Sequence, residues 1–74
     1  MSSIAIKSEI SGTVWKIESK PGDILELDGT LLILESMKME IPVLAPRRGS
    51  VIEFRVSEGE SVTEGQVLAL FKAG

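Results

Sequence analysis

The sequence of this chain contains an internal repeat. When the sequence is shifted against itself by half of its 74 residues, without gaps, apolar residues meet apolar residues and glycines meet glycines along its length. Two copies are too few for a solenoid, which needs about three or more repeats to stack. The repeat therefore predicts a closed domain whose halves are related by a pseudo-two-fold axis. The matching pairs include Ile4 and Ile41, Gly12 and Gly49, Val14 and Val51, Gly22 and Gly59, and Leu31 and Leu68.

The local pattern within each half predicts β-strands. Glycines and prolines recur at short intervals and leave room for a periodic helix only between Thr30 and Ile41. That stretch opens with the apolar run Leu31–Leu34, which is typical of a buried strand, so we predict a strand, a hairpin and a second strand there. Each half would be a four-stranded unit that cannot bury its apolar face alone. Two such units, packed face to face, predict an all-β sandwich or flattened barrel.

Length and composition predict one domain, residues 1–74, with a thin core. The chain contains neither cysteine nor histidine. Thiol catalysis, histidine-based general-base catalysis and Cys/His zinc sites are therefore excluded. No Asp-rich calcium loop occurs either, so we predict no catalytic residue and no metal site.

The charge pattern argues against nucleic acid as a partner, because the net charge is −3 and the eight basic residues are scattered. No targeting segment is visible and no apolar run approaches the length of a membrane span. We expect a soluble, cytoplasmic protein that has no membrane association and is monomeric in isolation.

Lys38 is the candidate functional residue. It lies within the hexapeptide Glu35–Glu40, at the junction of the two halves, so its repeat counterpart falls at the chain end. This places it at a hairpin tip, at the opposite end of the domain from the termini. A lysine that acts as a base or forms a Schiff base needs burial to lower its pKa, so a tip suits a lysine that another enzyme modifies. An arbitrary Met-Lys-Met is usually a solvated lysine between core methionines, but this chain offers no other chemical group.

The hexapeptide Glu35-Ser36-Met37-Lys38-Met39-Glu40 resembles the Glu-Ala/Ser-Met-Lys-Met attachment signature of biotinyl domains. The resemblance extends over essentially the whole chain and is closest to small stand-alone biotin/lipoyl attachment proteins. Its other landmarks are the Pro21-Gly22-Asp23 turn, the Ala45–Val51 stretch, Glu58-Gly59-Glu60 and Glu64-Gly65-Gln66.

The resemblance implies a flattened β-barrel of two four-stranded antiparallel sheets, with Lys38 joined through its ε-nitrogen to biotin by a biotin protein ligase. The biotin would be carboxylated at a biotin carboxylase site and would donate the carboxylate at a carboxyltransferase site. The chain would then be the non-catalytic carrier of a biotin-dependent carboxylase, with an acyl-CoA as the expected substrate class. Recognition by the ligase and the partner subunits would involve Glu35, Ser36, Met37, Met39 and Glu40.

Two turns depart from the family pattern. Ser8-Glu9 stands where the second half has Ala45-Pro46, and Asp28-Gly29 is offset by one position from the glycine at Gly65. Both departures concern turns and not the tip. The sequence is also too compact for the thumb loop that some acetyl-CoA carboxylase carriers insert.

Two alternatives remain open. A lipoyl carrier, or an acceptor of both biotin and lipoate, would have the same fold. Lipoyl domains usually place Asp before the lysine and a small residue after it, so Met37 and Met39 favour biotin. The other alternative is an unmodified, hammerhead-type interaction module, which has no need of an accessible lysine in this motif.

Overall fold

The computed structural model describes residues 3–74, and all of the regular structure in this range is β. Met1 and Ser2, which the one-domain prediction includes, lie outside the described residues. No helix occurs in residues 3–74, so none there could cross a membrane. The eight strands are β1 (Ser3–Lys7), β2 (Gly12–Ile17), β3 (Ile24–Leu25), β4 (Thr30–Ser36), β5 (Met39–Leu44), β6 (Gly49–Phe54), β7 (Ser61–Val62) and β8 (Val67–Ala73).

The strands form two four-stranded antiparallel sheets, which confirms the predicted all-β sandwich. We call the sheet in the order β5-β4-β2-β7 the hairpin sheet and the sheet in the order β1-β8-β6-β3 the terminal sheet. The expectation that each half of the sequence forms its own four-stranded unit is wrong. Each sheet takes two strands from each half, because the strands of one half alternate between the sheets. This exchange lets each half bury its apolar residues against the other.

The repeat is reproduced in the hydrogen-bonded register of the strands. In the hairpin sheet Leu34 pairs with Ile41, and in the terminal sheet their counterparts Phe71 and Ile4 pair in the same way. The bulge that β2 makes against β4 at Trp15 also recurs where β6 passes β8. Because both pairing and irregularity repeat, the pseudo-two-fold relation extends to backbone geometry.

The core consists of two clusters of fully or nearly fully buried apolar side chains, one at each side of the pseudo-two-fold axis. Its largest fully buried members come mainly from β4 and β8, which are central strands with the same burial pattern. One cluster contains Ile6, Leu31, Ala45, Val51, Ala69 and Phe71, and the other contains Val14, Leu32, Leu34, Val56, Val62 and Leu68.

The two departures from the family pattern leave the turns with matching backbone geometry. Asp28 adopts a φ of 68° at the place where Gly65 has a φ of 87°. Asp tolerates this left-handed conformation better than most residues do. The Asp28 N–H donates to the carbonyl of Ala45 at 3.0 Å, and the Gly65 N–H donates to the carbonyl of Ser8 at 2.7 Å. The two loops therefore close with the same hydrogen bond.

The hairpin that follows β4 lies at the end of the molecule away from the chain termini. Leu25, which lies beside Gly29, pairs with Gly49, and Gly49 in turn pairs with Ala73. The strand β4 therefore begins near the C-terminal end of the chain. It then runs for seven residues, about 20 Å of extended chain, along a molecule whose longest dimension is 35 Å.

Candidate functional site

The hexapeptide that contains Lys38 forms the end of one strand, a two-residue turn and the start of the next strand. Ser36 at the end of β4 pairs with Met39 at the start of β5, so Met37 and Lys38 alone make the turn. Their φ angles are 52° and 66°. Two successive residues with positive φ are the mark of a type I′ turn, whose twist matches that of a two-residue β-hairpin.

This turn is built from residues that do not favour it. Type I′ turns usually contain Asn-Gly or a similar pair, because most side chains are strained at positive φ. The left-handed conformation costs an ordinary residue roughly 1–2 kcal/mol. The register of β4 and β5 imposes it on Met37 and Lys38 regardless. The backbone of the tip is thus set by the sheet, with Lys38 at the turn.

The side chains at the tip lie in solvent. Met37 is 91% exposed and Met39 is 64% exposed, so neither methionine fills the core. Lys38 is also exposed, and no carboxylate in residues 3–74 lies within ion-pairing distance of its amine. A primary amine in this position is open to acylation by another protein. The site is therefore suited to a covalently attached group, because the Lys38 amine is exposed, has no ion-pair partner within residues 3–74 and lies in a turn of defined conformation.

A pair of carboxylates lies directly behind the turn. Glu35 and Glu40 are register partners across β4 and β5, and both are exposed. Like charges that face each other across strands are destabilising. Ser36, between Glu35 and the turn, is half-buried. All six predicted site residues are thus gathered at one end of one hairpin.

Sequence reasoning missed a supporting residue on the neighbouring strand. Gly12, the first residue of β2, lies against the backbone of Glu35, and a Cβ atom there would be 2.5 Å from the Glu35 carbonyl oxygen. The signal that could have revealed it is the repeat itself. Gly12 and Gly49 coincide in register, and a Cβ at Gly49 would likewise collide with the backbone of Lys72.

Comparison with known proteins identifies the family of the chain. A sequence model of the biotin/lipoyl family, described as "Biotin-requiring enzyme", matches residues 2–71. The chain belongs to the biotin/lipoyl attachment family. It is 45% identical over 65 residues to a biotin/lipoyl attachment protein of Bacillus subtilis, covering 88% of this chain and 89% of that protein. It is 38% identical over 65 residues to a protein of Mycobacterium leprae named as a homologue of biotinylated protein TB7.3, covering 88% and 92%.

Solved structures show the same fold. A single-chain, multi-domain long-chain acyl-CoA carboxylase superposes with a TM-score of 0.92 at 26% identity, covering 97% of this chain but 7% of the carboxylase. The lipoyl domain of the 2-oxoglutarate dehydrogenase complex from Azotobacter vinelandii superposes with a TM-score of 0.77 at 28% identity, covering 95% of this chain and 99% of the domain. These relatives are attachment proteins, a multi-domain carboxylase and a lipoyl domain.

Proposed function

We propose that this biotin/lipoyl attachment domain carries biotin on Lys38 and serves as the carboxyl carrier of a biotin-dependent carboxylase. The observation that carries the proposal is the placement of Lys38 at a fixed, solvent-exposed turn between two exposed methionines. The matching family model is described by its requirement for biotin, one relative is named as biotinylated, and two structural matches are carboxylases.

Attachment would form an amide between the Lys38 Nζ and the carboxyl carbon of biotin. A biotin protein ligase would present that carboxyl bonded to an activating group. The deprotonated Lys38 Nζ would attack the carboxyl carbon, the activating group would leave with the electron pair of its bond to that carbon, and Nζ would lose a second proton as the amide forms. Nothing is oxidised or reduced, and this chain contributes only the nucleophile and its placement.

The rest of the chain would hold Lys38 at a fixed position in a rigid domain. A cofactor tethered to a domain reaches more than one active site at a high effective concentration. The bound biotin would supply the carboxyl-transfer chemistry, while the protein supplies position. The partners proposed on this basis are the biotin carboxylase and carboxyltransferase subunits, with an acyl-CoA as the substrate class in view of the carboxylase match. Cytoplasmic localisation and a monomeric state stay predictions.

Intact-mass measurement tests the proposal directly. The protein purified from its native host should carry the added mass of one biotinyl group, and digestion should locate it on Lys38. Lys38→Arg should abolish both the added mass and streptavidin binding. Thermal unfolding should be unchanged, because the side chain is exposed and Arg keeps the charge. Native protein that carries no added group contradicts the proposal and supports the hammerhead-type interaction module instead.

Lipoate is the second candidate for the attached group. The structural similarity to the Azotobacter lipoyl domain extends over nearly the whole of that domain. The same mass measurement separates the possibilities, since a lipoyl group and a biotinyl group differ in mass. A mixture of the two masses on Lys38 would establish that the chain accepts both groups.

A further inference from the structure

The turn that contains Lys38 places two thioether side chains in solvent. Met37 is 91% exposed and Met39 is 64% exposed. Methionine is among the residue types that are most often fully buried, yet neither side chain packs against either of the two core clusters. The packing of the domain therefore does not explain why methionine stands at these two positions.

The backbone does not explain the two methionines either. Met37 has a φ of 52°, a conformation that strains most side chains and that a type I′ turn usually gives to Asn or Gly. Met39 begins β5, which lies at the edge of its sheet, and strands favour β-branched and aromatic residues over methionine. Both positions would accept other residues, so the chemistry of the thioether is the property that remains to be explained.

A thioether in solvent is open to oxidation to the sulfoxide. A hydroperoxide such as hydrogen peroxide transfers one oxygen atom to the methionine Sδ. The O–O bond breaks, the sulfur is oxidised by two electrons, the peroxide is reduced, and its other oxygen leaves as water. The chain contains no cysteine, so no thiol of the same chain competes for the oxidant. The two sulfurs beside Lys38 are therefore exposed to any hydroperoxide that reaches the domain.

We propose that Met37 and Met39 form a reversible oxidation site that switches the carrier off. The inference rests on the proposed function, because it presumes that Lys38 carries a group into the sites of partner enzymes. Methionine sulfoxide reductases, one for each epimer of the sulfoxide, return the side chain to the thioether. Oxidation would thus stop the carrier under peroxide stress, and reduction would restore it.

The switch follows from the position of the two sulfurs on either side of Lys38. Any active site that receives a group carried on Lys38 comes close to the neighbouring side chains, Met37 and Met39. Oxidation turns each flexible apolar side chain into a polar, chiral one. A sulfoxide oxygen that leaves water without finding a hydrogen-bond donor costs free energy. Entry of the carried group into such a site is therefore less favourable after oxidation.

The fold itself should not respond to this oxidation. Sulfoxide formation at a core methionine disrupts packing, but Met37 and Met39 already lie in solvent, where the new oxygen stays hydrated. The oxidised domain should unfold at the same temperature as the untreated domain. This separates a switch that acts on the partner steps from simple oxidative damage.

Peptide mapping tests whether the oxidation site exists. The domain with unmodified Lys38 is treated with dilute hydrogen peroxide and digested with trypsin, which cleaves after Lys38 and so separates Met37 from Met39. Each of the two should gain the mass of one oxygen atom as fast as free methionine does, within about twofold, and Met37 should react first because it is the more exposed. The peptide that contains Met1 is read separately.

Carboxylation kinetics test the consequence of oxidation. Fully biotinylated protein is treated with peroxide, and carboxylation of its biotin by a purified biotin carboxylase is measured before treatment, after it, and after incubation with both reductases and a thiol reductant. The matched variant is Met37→Leu with Met39→Leu, which keeps apolar side chains but has no sulfur in the turn. Each rate is divided by the rate of the same untreated protein, so the effect of the substitutions themselves cancels. Biotin has a thioether of its own, and the leucine variant shows what its oxidation alone does.

The switch predicts that peroxide lowers the kcat/KM of the wild type about tenfold more than that of the leucine variant, which corresponds to about 1.4 kcal/mol. The reductases should return the wild type to within about twofold of its untreated rate, because they restore both thioethers. Thermal unfolding of the oxidised wild type should match that of the untreated protein.

Three outcomes would overturn the inference. Met37 and Met39 that stay unmodified while free methionine is oxidised would show that the two sulfurs are protected. Equal rate losses in the wild type and the leucine variant, or no loss in either, would leave the methionines without a role in the response. A loss that accompanies a lower unfolding temperature would show damage to the fold. If the wild type is biotinylated in each case, the proposed function survives, whereas a wild type that takes up no biotin contradicts both.

Discussion

Gly12 supports the hairpin that contains Lys38 by direct contact with the backbone of Glu35. A Cβ atom on Gly12 would lie 2.5 Å from the Glu35 carbonyl oxygen and 3.4 Å from the Ser36 Cβ. A distance below 3 Å to a backbone atom cannot be relieved by a change of rotamer. The strand that bears the hairpin can therefore occupy its position only while residue 12 has no side chain.

Gly12→Ala should destabilise the domain and displace the hairpin. We expect a loss of about 2 kcal/mol or more in the free energy of unfolding, measured with urea. The counterpart variant Gly49→Ala should be destabilised too, because its Cβ would meet Lys72 and Phe71. At a temperature where both variants are folded, only Gly12→Ala should slow the biotinylation of Lys38. Equal rates for the two variants would show that the contact with Glu35 has no influence on the site.

The turn formed by Met37 and Lys38 is predicted to lower the free energy of unfolding of the domain, because both residues have positive φ. Replacing Met37-Lys38 by Asn-Gly supplies the residues that a type I′ turn favours and should raise the free energy of unfolding by about 1–2 kcal/mol. Met39→Asn is the matched control, because Met39 lies in β5 at a position without positive φ. Met39→Asn should not raise the free energy of unfolding. Urea unfolding checks both, and an unchanged or lower stability for Asn-Gly would mean that Met37 and Lys38 are not strained.

Asp28 and Gly65 hold equivalent turn positions with different residues. Gly65→Ala should cost about 1 kcal/mol, solely because of its φ of 87°, since no atom lies within 4 Å of the added Cβ. Asp28→Gly removes a strained side chain but gives the unfolded chain more freedom, so its effect should be close to zero. Thermal unfolding of the two variants checks this asymmetry. A large loss for Asp28→Gly would indicate that the aspartate side chain, and not the backbone, stabilises the turn.

The sequence was sufficient to predict the architecture because the repeat acts at the level of whole strands. Strand counterparts such as Gly12–Ile17 and Gly49–Phe54 coincide after a shift of half the chain. The repeat did not predict the exchange of strands between the sheets, because the same apolar pattern suits two separate halves as well as two interleaved ones. Choosing between them requires the strand pairings, which are contacts between distant residues.

The proximity of the six candidate site residues was predictable for a different reason. Lys38 and its neighbours lie in one short segment, so their proximity follows from the chain itself. The local conformation did not follow, since neither Met37 nor Lys38 favours positive φ and a turn pattern would not select them. The contact of Gly12 with Glu35 also depends on the pairing of β2 with β4. The turn conformation and the Gly12 contact could not be predicted from local sequence, because both depend on the pairing of neighbouring strands.

The two methionines beside Lys38 are expected to act in partner sites and not in folding. Met37 is 91% exposed and Met39 is 64% exposed, so Met37→Ser with Met39→Ser should leave the free energy of unfolding within about 0.5 kcal/mol of wild type. Any active site that receives a group carried on Lys38 must come close to both side chains. Burial of the methionines there would contribute to docking. A loss of about 1.4 kcal/mol of that contact corresponds to a tenfold loss in affinity.

This prediction is tested with fully biotinylated protein, so that a defect in attachment is separated from a defect in later steps. Carboxylation of the carried biotin by a biotin carboxylase, and transfer from it, should each be slowed by roughly tenfold in the double variant. Leu27→Gln is the control, because Leu27 is also largely exposed but lies in the turn before β4, at the far end from Lys38. It should retain the wild-type rates. Wild-type rates in the methionine variant would show that Lys38 alone is sufficient for the partner enzymes and that the methionines have no role in these steps.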